Sequence, residues 1–318
     1  MTTILVTGGA GYIGSATVRE LIKKGYNVLV VDNLSKGKIE LLDKKAKFYK
    51  IDLVDEKNLS VVFLENKIDA VIHLASYKAV GESMDNAVKY SDNLTGTIVL
   101  LKQMIKNNVK KIIFSSSAAV YGLTNKCPID ENTETNPINY YGHIKLVCED
   151  ILRWYSRIHN ISYVILRYFN VAGDCGLNYI DPDAQNIMPI IMEVIFGERD
   201  KFIIFGDDYD TPDGTCIRDY IDINDLVRAH ILALNVKDCQ IINLGTQKGI
   251  SVKEFVDKTM EITGKKLNFI YGKRREGDTA KLIASNKKAE NILGWKPQIE
   301  IKDMLKKSYD AYCSYKKL

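Results

Sequence analysis

Tyr141 and Lys145 stand four residues apart in the run Tyr141-Gly142-His143-Ile144-Lys145. On a helix that spacing puts both side chains on one face. A phenol beside an ammonium is an acid–base pair. Tyrosine titrates near pH ~10, so service as a base near neutrality needs a shift of ~3 units, about 4 kcal/mol. A cation ~4 Å away at an effective dielectric of ~20 supplies about that much. The expectation is that Lys145 lowers the pKa of Tyr141. Taken alone the spacing is common, and an exposed surface pair would read the same way. It gains force by following, in order, a glycine-rich turn and Ser115-Ser116-Ser117.

That turn is Gly8-Gly9-Ala10-Gly11-Tyr12-Ile13-Gly14. It follows a short apolar run and opens a helical pattern. The glycines at 8, 11 and 14 have separate uses: a tight turn, close approach of backbone to a pyrophosphate, and close packing of helix on strand. The phosphates of a dinucleotide then rest on the amides of the helix N-terminus. Asp32 ends the next strand, eighteen residues after Gly14. A carboxylate there accepts from ribose hydroxyls and repels a 2′-phosphate, which favours NAD. Lys36 and Lys38 lie close by and leave NADP open.

These residues need a scaffold. Segments 4–7, 27–32, 48–52, 70–74, 112–115 and 164–167 are short, apolar and β-branched, and read as strands. Segments 16–24, 55–66, 92–107 and 143–159 read as helices. Alternation of this kind predicts an α/β fold, a Rossmann-type doubly wound parallel sheet covered on both faces. After residue 172 the rhythm changes, with turn residues clustered over 173–189 and 206–214. Helices are expected at 187–197, 224–235 and 252–263, and a strand at 241–244. The expected organisation is a dinucleotide-binding domain over 1–172 and a smaller C-terminal α/β substrate lobe over 173–318. The chain would return briefly to the main sheet near 241–246.

Composition bounds the rest. A chain of 318 residues, 46% hydrophobic and 26% charged, is ordinary for a globular protein. The net charge of +4 is the difference between 44 basic and 40 acidic residues, and the lysine pairs are scattered, so no nucleic-acid partner is expected. Six cysteines form no Cys-x-x-Cys pair and have no histidine cluster beside them. Metal and disulfide frameworks are not expected, and reduced thiols suit a cytoplasmic protein. No apolar run approaches the ~20 residues of a membrane span, and no leader pattern opens the chain.

The chain resembles the extended short-chain dehydrogenase/reductases, the NAD-dependent epimerase/dehydratase family. Within it, the chain is similar to the branch that epimerises UDP-sugars at C4. The likeness runs nearly end to end. It is carried by TGGAGYIG (7–14), VVDNL (30–34), YKAVGES (77–83), SSSAAVYG (115–122), YYGHIK (140–145), LRYFNVAG (166–173), IFGDDYDTPDGTCIRDYI (204–221) and RREGD (274–278). It implies that Gly8, Gly11, Tyr12, Ile13 and Gly14 line the pyrophosphate. Asp32 and Asn33 would hold the adenosine ribose, and Asp52 and Leu53 the adenine. Lys78, Asn93, Tyr168 and the Ala75 backbone would contact the rest of the cofactor. Tyr141 would be the base, Lys145 its activator and Ser117 a hydrogen-bond partner of the reacting hydroxyl. Asn170, Asn186, Phe205, Arg218, Arg275 and Asp278 would bind the UDP-sugar, since a guanidinium fork matches phosphate oxygens. The neighbouring Arg274 leaves the second arginine open by one position.

The implied activity is interconversion of UDP-glucose and UDP-galactose by transient oxidation at sugar C4 with tightly bound NAD. Because the sum is redox-neutral, the cofactor need not leave. Dehydratases of the family carry an Asp-Glu pair just before Val-Tyr-Gly, and many decarboxylases a glutamate; here those positions are Ala118 and Ala119. Neither alanine can transfer a proton. Epimerisation of UDP-N-acetylhexosamines stays open, because the position governing pocket size is Leu282, of intermediate volume; UDP-glucuronate also stays open. A non-catalytic NAD(P)-binding regulator is the rival of another class, and the presence of Tyr141, Lys145 and Ser117 counts against it. The resemblance also implies a homodimer through the helices at 92–107 and 143–159, whose apolar residues, Trp154 and Tyr155 among them, exceed one stripe.

Overall fold

Every residue of the first strand, β1 (Thr3–Thr7), is buried, as expected for a strand covered on both faces. The computed structural model describes residues 1–180, 185–275 and 277–317. Parts of the 173–189 loop and Glu276 of the 274–278 motif lie outside the described residues.

After β1 come α1 (Tyr12–Lys23), β2 (Asn27–Asp32), β3 (Lys47–Lys50), α2 (Glu56–Glu65), β4 (Ala70–His73), α3 (Val80–Asp85), α4 (Ala87–Lys106), β5 (Lys111–Ser117), α5 (Tyr140–His159) and β6 (Ser162–Tyr168). With β10 (Gln240–Leu244) these strands form one seven-stranded sheet, in the order β10-β6-β5-β4-β1-β2-β3. The chain order reverses at β1, which pairs in parallel with β2 on one side and β4 on the other. In sheets of this type ligands bind at that switch point, beyond the carboxyl ends of the strands. Leu5, Leu29, Val71, Ile112, Phe114 and Leu152 belong to the core beneath it.

Caps move two helix starts from their expected places. The Asn86 side chain accepts from Lys89 N–H at 3.2 Å and starts α4 five residues before position 92. The Asn139 side chain accepts from Gly142 N–H at 2.8 Å and starts α5 at Tyr140. Tyr141 therefore sits in the first turn of α5, at its positive end. The short α3 lies in a region read without an element.

The second unit has its own small sheets. β9 (Ile217–Asp222) pairs with β7 (Asn170–Ala172), β11 (Gly249–Ser251) and β13 (Lys281–Leu282). β8 (Phe202–Phe205) pairs in parallel with β12 (Phe269–Gly272). Residues of α6 (Ile187–Ile195), α8 (Val252–Thr263) and α10 (Ile301–Lys317) share a core that includes Ile191, Met192, Phe255 and Leu305. The two units interleave in sequence. One unit comprises 1–122, 134–167 and 227–242; the other comprises 123–133, 168–226 and 243–318. Among the described residues no helix is long and apolar enough to cross a membrane.

Candidate active site

The glycine turn is built as its spacing predicts. Gly8 adopts φ +68°, and a Cβ there would meet Ala75 N, just beyond β4, at 2.6 Å. A Cβ at Gly14 would lie 2.0 Å from Gly8 O. At Gly11, the N-cap of α1, an added Cβ would meet only Gly8 O, at 3.4 Å, among the described residues. No side chain caps α1, and no acidic residue occupies its first turn. Gly9 has a use of its own: a Cβ there would press on Val30 at 2.7 Å, so this glycine serves packing on β2.

Asp32 is buried at the end of β2 and accepts from Ala10 N–H at 3.0 Å and Leu34 N–H at 2.8 Å. It ties the strand end to the turn. Asn33 donates to Asp52 Oδ2 at 2.8 Å, which joins two of the expected adenosine residues. Leu53 is a core side chain, packed where a Cβ on Gly96 would touch it. Asn93 spends both ends of its amide on the Tyr77 backbone, accepting at 2.8 Å and donating at 3.0 Å. It clamps the segment between Ala75 and the exposed Lys78. Under the turn, His73 bridges Thr7 Oγ1 at 2.7 Å and Thr97 Oγ1 at 3.0 Å. Thr97 donates to Asn93 O, so it accepts from Nε2–H, and Nδ1 accepts from Thr7. Burial, with Lys145 adding to it, pushes His73 down to about 3.

Ser117 ends β5 and caps a 3-10 turn at Ala118–Tyr121, accepting from Ala119 N–H at 3.1 Å. Its hydroxyl is near enough to the Tyr141 phenol to favour the ionised form of that phenol. Lys145, on the same face of α5, donates to Ser115 O at 2.8 Å and lies 5.7 Å from the Tyr141 ring centroid. Gly142 permits this approach, since a Cβ there would meet Ala119 O at 2.5 Å. From α3, Ser83 Oγ accepts from Tyr141 N–H at 3.1 Å; from α4, Ser91 Oγ pairs with the Tyr140 hydroxyl at 2.8 Å.

The three residues meet as expected, but the electrostatics differ. Burial pushes the Tyr141 phenol up to about 12, and the nearby Ser117 hydroxyl only tempers this. Lys145 is itself pushed down to about 8 by burial. Its ammonium points at a carbonyl rather than at the phenol, so the expected Coulomb lowering of Tyr141 is not supplied by the chain's own residues. Helical spacing brings a charge near the phenol, but removal of water acts on the same group in the opposite direction and outweighs it.

In the second unit, Arg218 on β9 donates to Asp278 Oδ1 at 3.1 Å and to the carbonyls of Ile217 and Thr279, each at 2.9 Å. Leu282 on β13 is its register partner. Arg275 lies 3.9 Å over the Phe205 ring. Arg274 instead donates to Asp208 Oδ1 at 2.6 Å and covers Tyr209. Of the two adjacent arginines, 275 is therefore the one beside Phe205. Asn170 donates to Asp219 O at 3.4 Å, and Asn186 is exposed at the start of α6. Tyr168, at the end of β6, is buried.

A family model described as GDP-mannose 4,6 dehydratase matches residues 5–308. UDP-glucose 4-epimerase of Streptococcus mutans is 46% identical over 99% of this chain and 98% of its own. The Lactobacillus helveticus UDP-glucose 4-epimerase is 44% identical over the same shares. The crystal structure of the Bifidobacterium longum UDP-glucose 4-epimerase, in complex with NAD+ and UDP, superposes with a TM-score of 0.93, at 42% identity and with 98% of each chain covered.

The chain belongs to the UDP-glucose 4-epimerase family. The dehydratase named in the broader family description removes water, which needs proton donors and acceptors beside the base. Here the two positions before Val120-Tyr121-Gly122 are Ala118, which is buried, and Ala119, whose carbonyl faces Gly142. The epimerase family therefore agrees with the site as well as with the identity. The site also uses residues to which the motifs assigned no role: Ser83, Ser115 O and Gly142, which lie inside them, and His73, which lies outside. Only Gly142 carried a signal, a glycine in the first turn of a helix, where it costs about 1 kcal/mol unless packing requires it.

Proposed function

We propose that this chain interconverts UDP-glucose and UDP-galactose, with NAD held by the first unit and the UDP-sugar bound by the second. The observation that carries the reading is the gathering of Tyr141 and Lys145 on one face of α5 beside the strand end that bears Ser117, with alanines where a dehydratase needs acids.

The residues present fit a dinucleotide. The space over Gly11, the uncapped start of α1 and the joined Asn33–Asp52 pair suit a pyrophosphate and an adenosine. Gly8, Gly11, Tyr12, Ile13 and Gly14 would hold the phosphates, and Asp32, Asn33, Asp52 and the Leu53 backbone the adenosine. Ala75, Lys78 and Tyr168 would hold the remainder, with Asn93 acting through the Tyr77 segment. When bound, NAD supplies reversible two-electron acceptance at sugar C4 and a positive charge beside the phenol. Tyr141 takes the proton of the 4-hydroxyl, and Ser117 orients that hydroxyl. Lys145 holds its ammonium against Ser115 O, on the same face of α5 as the base. Inversion requires the sugar to present its other face while the diphosphate stays bound. Arg218 and Arg275 would hold the diphosphate, Phe205 and Asp278 support those arginines, and Asn170, Asn186 and Leu282 would meet the sugar nucleotide.

Exposed apolar residues on α4 and α5, Val88 at 84%, Trp154 at 59% and Ile158 at 63%, support a homodimer through these helices. Six free cysteines support a reducing, cytoplasmic setting.

The test is incubation with UDP-galactose and no added cofactor. UDP-glucose should form, and Tyr141→Phe should lower kcat by about 10²–10⁴-fold, the usual contribution of general acid–base catalysis. A Phe variant as fast as wild type would sink the assignment.

A further inference from the structure

One face of α5 repeats every four residues as Tyr141, Lys145 and Glu149. The third has no part in the chemistry above, yet it is the most heavily partnered. Glu149 is 0% exposed. Its Oε1 accepts from Ser116 Oγ at 2.6 Å and Arg167 Nε at 2.9 Å; its Oε2 accepts from Arg167 Nη2 at 2.6 Å and Arg153 Nη2 at 3.4 Å. Arg167, also buried, donates through Nη1 to the Tyr121 hydroxyl at 3.0 Å. One carboxylate thus joins α5, β5, β6 and the 3-10 turn. Ser116 precedes Ser117, Tyr121 closes the turn that Ser117 caps, and Glu149 lies one turn beyond Lys145.

Stability is a weak reason for such a pair. Two charges buried together cost about as much desolvation as they return, and apolar replacements are often as stable or more so. The clamp does link the two elements whose separation the chemistry depends on: the strand bearing Ser117 and the helix bearing Tyr141 and Lys145.

We propose that Glu149, locked by Arg167 and Ser116, is a positioning residue for the Tyr141–Lys145 pair, fixing α5 against β5 and supplying the negative charge that faces the Lys145 ammonium. The proposal rests on the reading of Tyr141 as base. The groups facing Lys145 are Tyr141, Cys148 and Glu149 from α5, the Ser115 carbonyl and Phe114 ring from β5, and His73 from β4. His73 is neutral at physiological pH. Glu149 and Cys148 oppose the burial that drives Lys145 toward losing its proton. Without the Glu149 charge, Lys145 deprotonates at lower pH, and the alkaline limb of the rate profile moves down.

The experiment compares wild type, Y141F, E149Q, E149D and the double variant E149Q/R167M in UDP-galactose turnover over a range of pH, with melting temperature measured alongside. E149Q should lose roughly 10²-fold in kcat, as for a small misplacement of reacting groups. Its KM should change little, and its alkaline limb should fall by roughly one pH unit. E149Q/R167M removes the orphaned guanidinium as well. It should regain melting temperature while keeping the low kcat and the shifted limb. E149D keeps the charge one methylene short, so it should keep the limb and lose kcat. A double variant with wild-type kcat and wild-type limb makes the clamp merely structural and overturns the proposal. If neither Gln variant folds, E149D decides, and wild-type kcat in it is the overturning result. A wild type inactive on UDP-galactose, or a fully active Y141F, defeats the base assignment and this proposal with it. An inactive Y141F beside a normal double variant defeats this proposal alone.

Discussion

Two neighbouring glycines should respond oppositely to one added methyl group. At Gly14 an alanine Cβ would lie 2.0 Å from Gly8 O, 2.7 Å from Gly9 Cα and 2.8 Å from Gly8 C, where ordinary contact begins near 3.4 Å. All three atoms are backbone of the same turn, so no side chain can swing aside. Overpacking of this kind costs about 1–3 kcal/mol or more. At about 2–4 °C per kcal/mol for domains of comparable size, Gly14→Ala should lower the melting temperature by roughly 5 °C before any ligand is added. At Gly11 the backbone is compatible with alanine, φ −79°, and the new Cβ meets only Gly8 O at 3.4 Å among the described residues. Gly11→Ala should melt within a few tenths to about 1 kcal/mol of wild type, the range for N-cap changes. It should nevertheless bind NAD at least about tenfold more weakly, a loss of about 1.4 kcal/mol, because the methyl group fills the space assigned to the pyrophosphate. The assay is a melt of cofactor-stripped protein followed by calorimetric titration with NAD. Wild-type NAD affinity in Gly11→Ala would refute the placement of the pyrophosphate. Wild-type melting in Gly14→Ala would refute the packing reasoning.

Acid stability should report on His73. Its folded pKa of about 3 lies below the unfolded 6.5, so the unfolded chain binds the extra proton first, and stability is lost as pH falls from 6.5 towards 3. The full loss is on the order of 5 kcal/mol, and the difference in denaturant stability between wild type and His73→Gln should shrink over that window; a constant difference would count against a buried neutral histidine. Leu282→Tyr should cut turnover of UDP-N-acetylglucosamine relative to UDP-glucose, measured side by side, whereas an unchanged ratio would remove Leu282 from the sugar pocket. Trp154→Glu with Ile158→Glu should halve the mass seen by analytical ultracentrifugation while leaving the melt of the single chain near that of the dimer-dissociated wild type. A dimer that survives both changes lies on another face.

What could be read from residues alone follows the range of the constraint. The glycine turn and the Tyr141–Lys145 face are local: positive φ, close backbone approach and the four-residue spacing are written within a few residues. The parallel sheet was legible because strands buried on both faces lose their alternation, as in Asn27–Asp32. The small sheets of the second unit were not, since β11 and β13 have three and two residues and carry no period to detect. Partners far apart in sequence escaped for a similar reason. Asn93 meets Tyr77 sixteen residues away, and Arg167 meets Glu149 eighteen away. Each has the composition of a ligand-binding residue and the position of a clamp. The Tyr141 shift shows the same limit in its energetics. Spacing locates a charge, but only the fold says how much water has been removed, and desolvation outweighed a cation that points elsewhere. Ala118 and Ala119 are the opposite case. What they contribute is the lack of a proton, which holds in any environment, and so the discrimination between elimination and epimerisation was available from sequence while the energetics of the base were not.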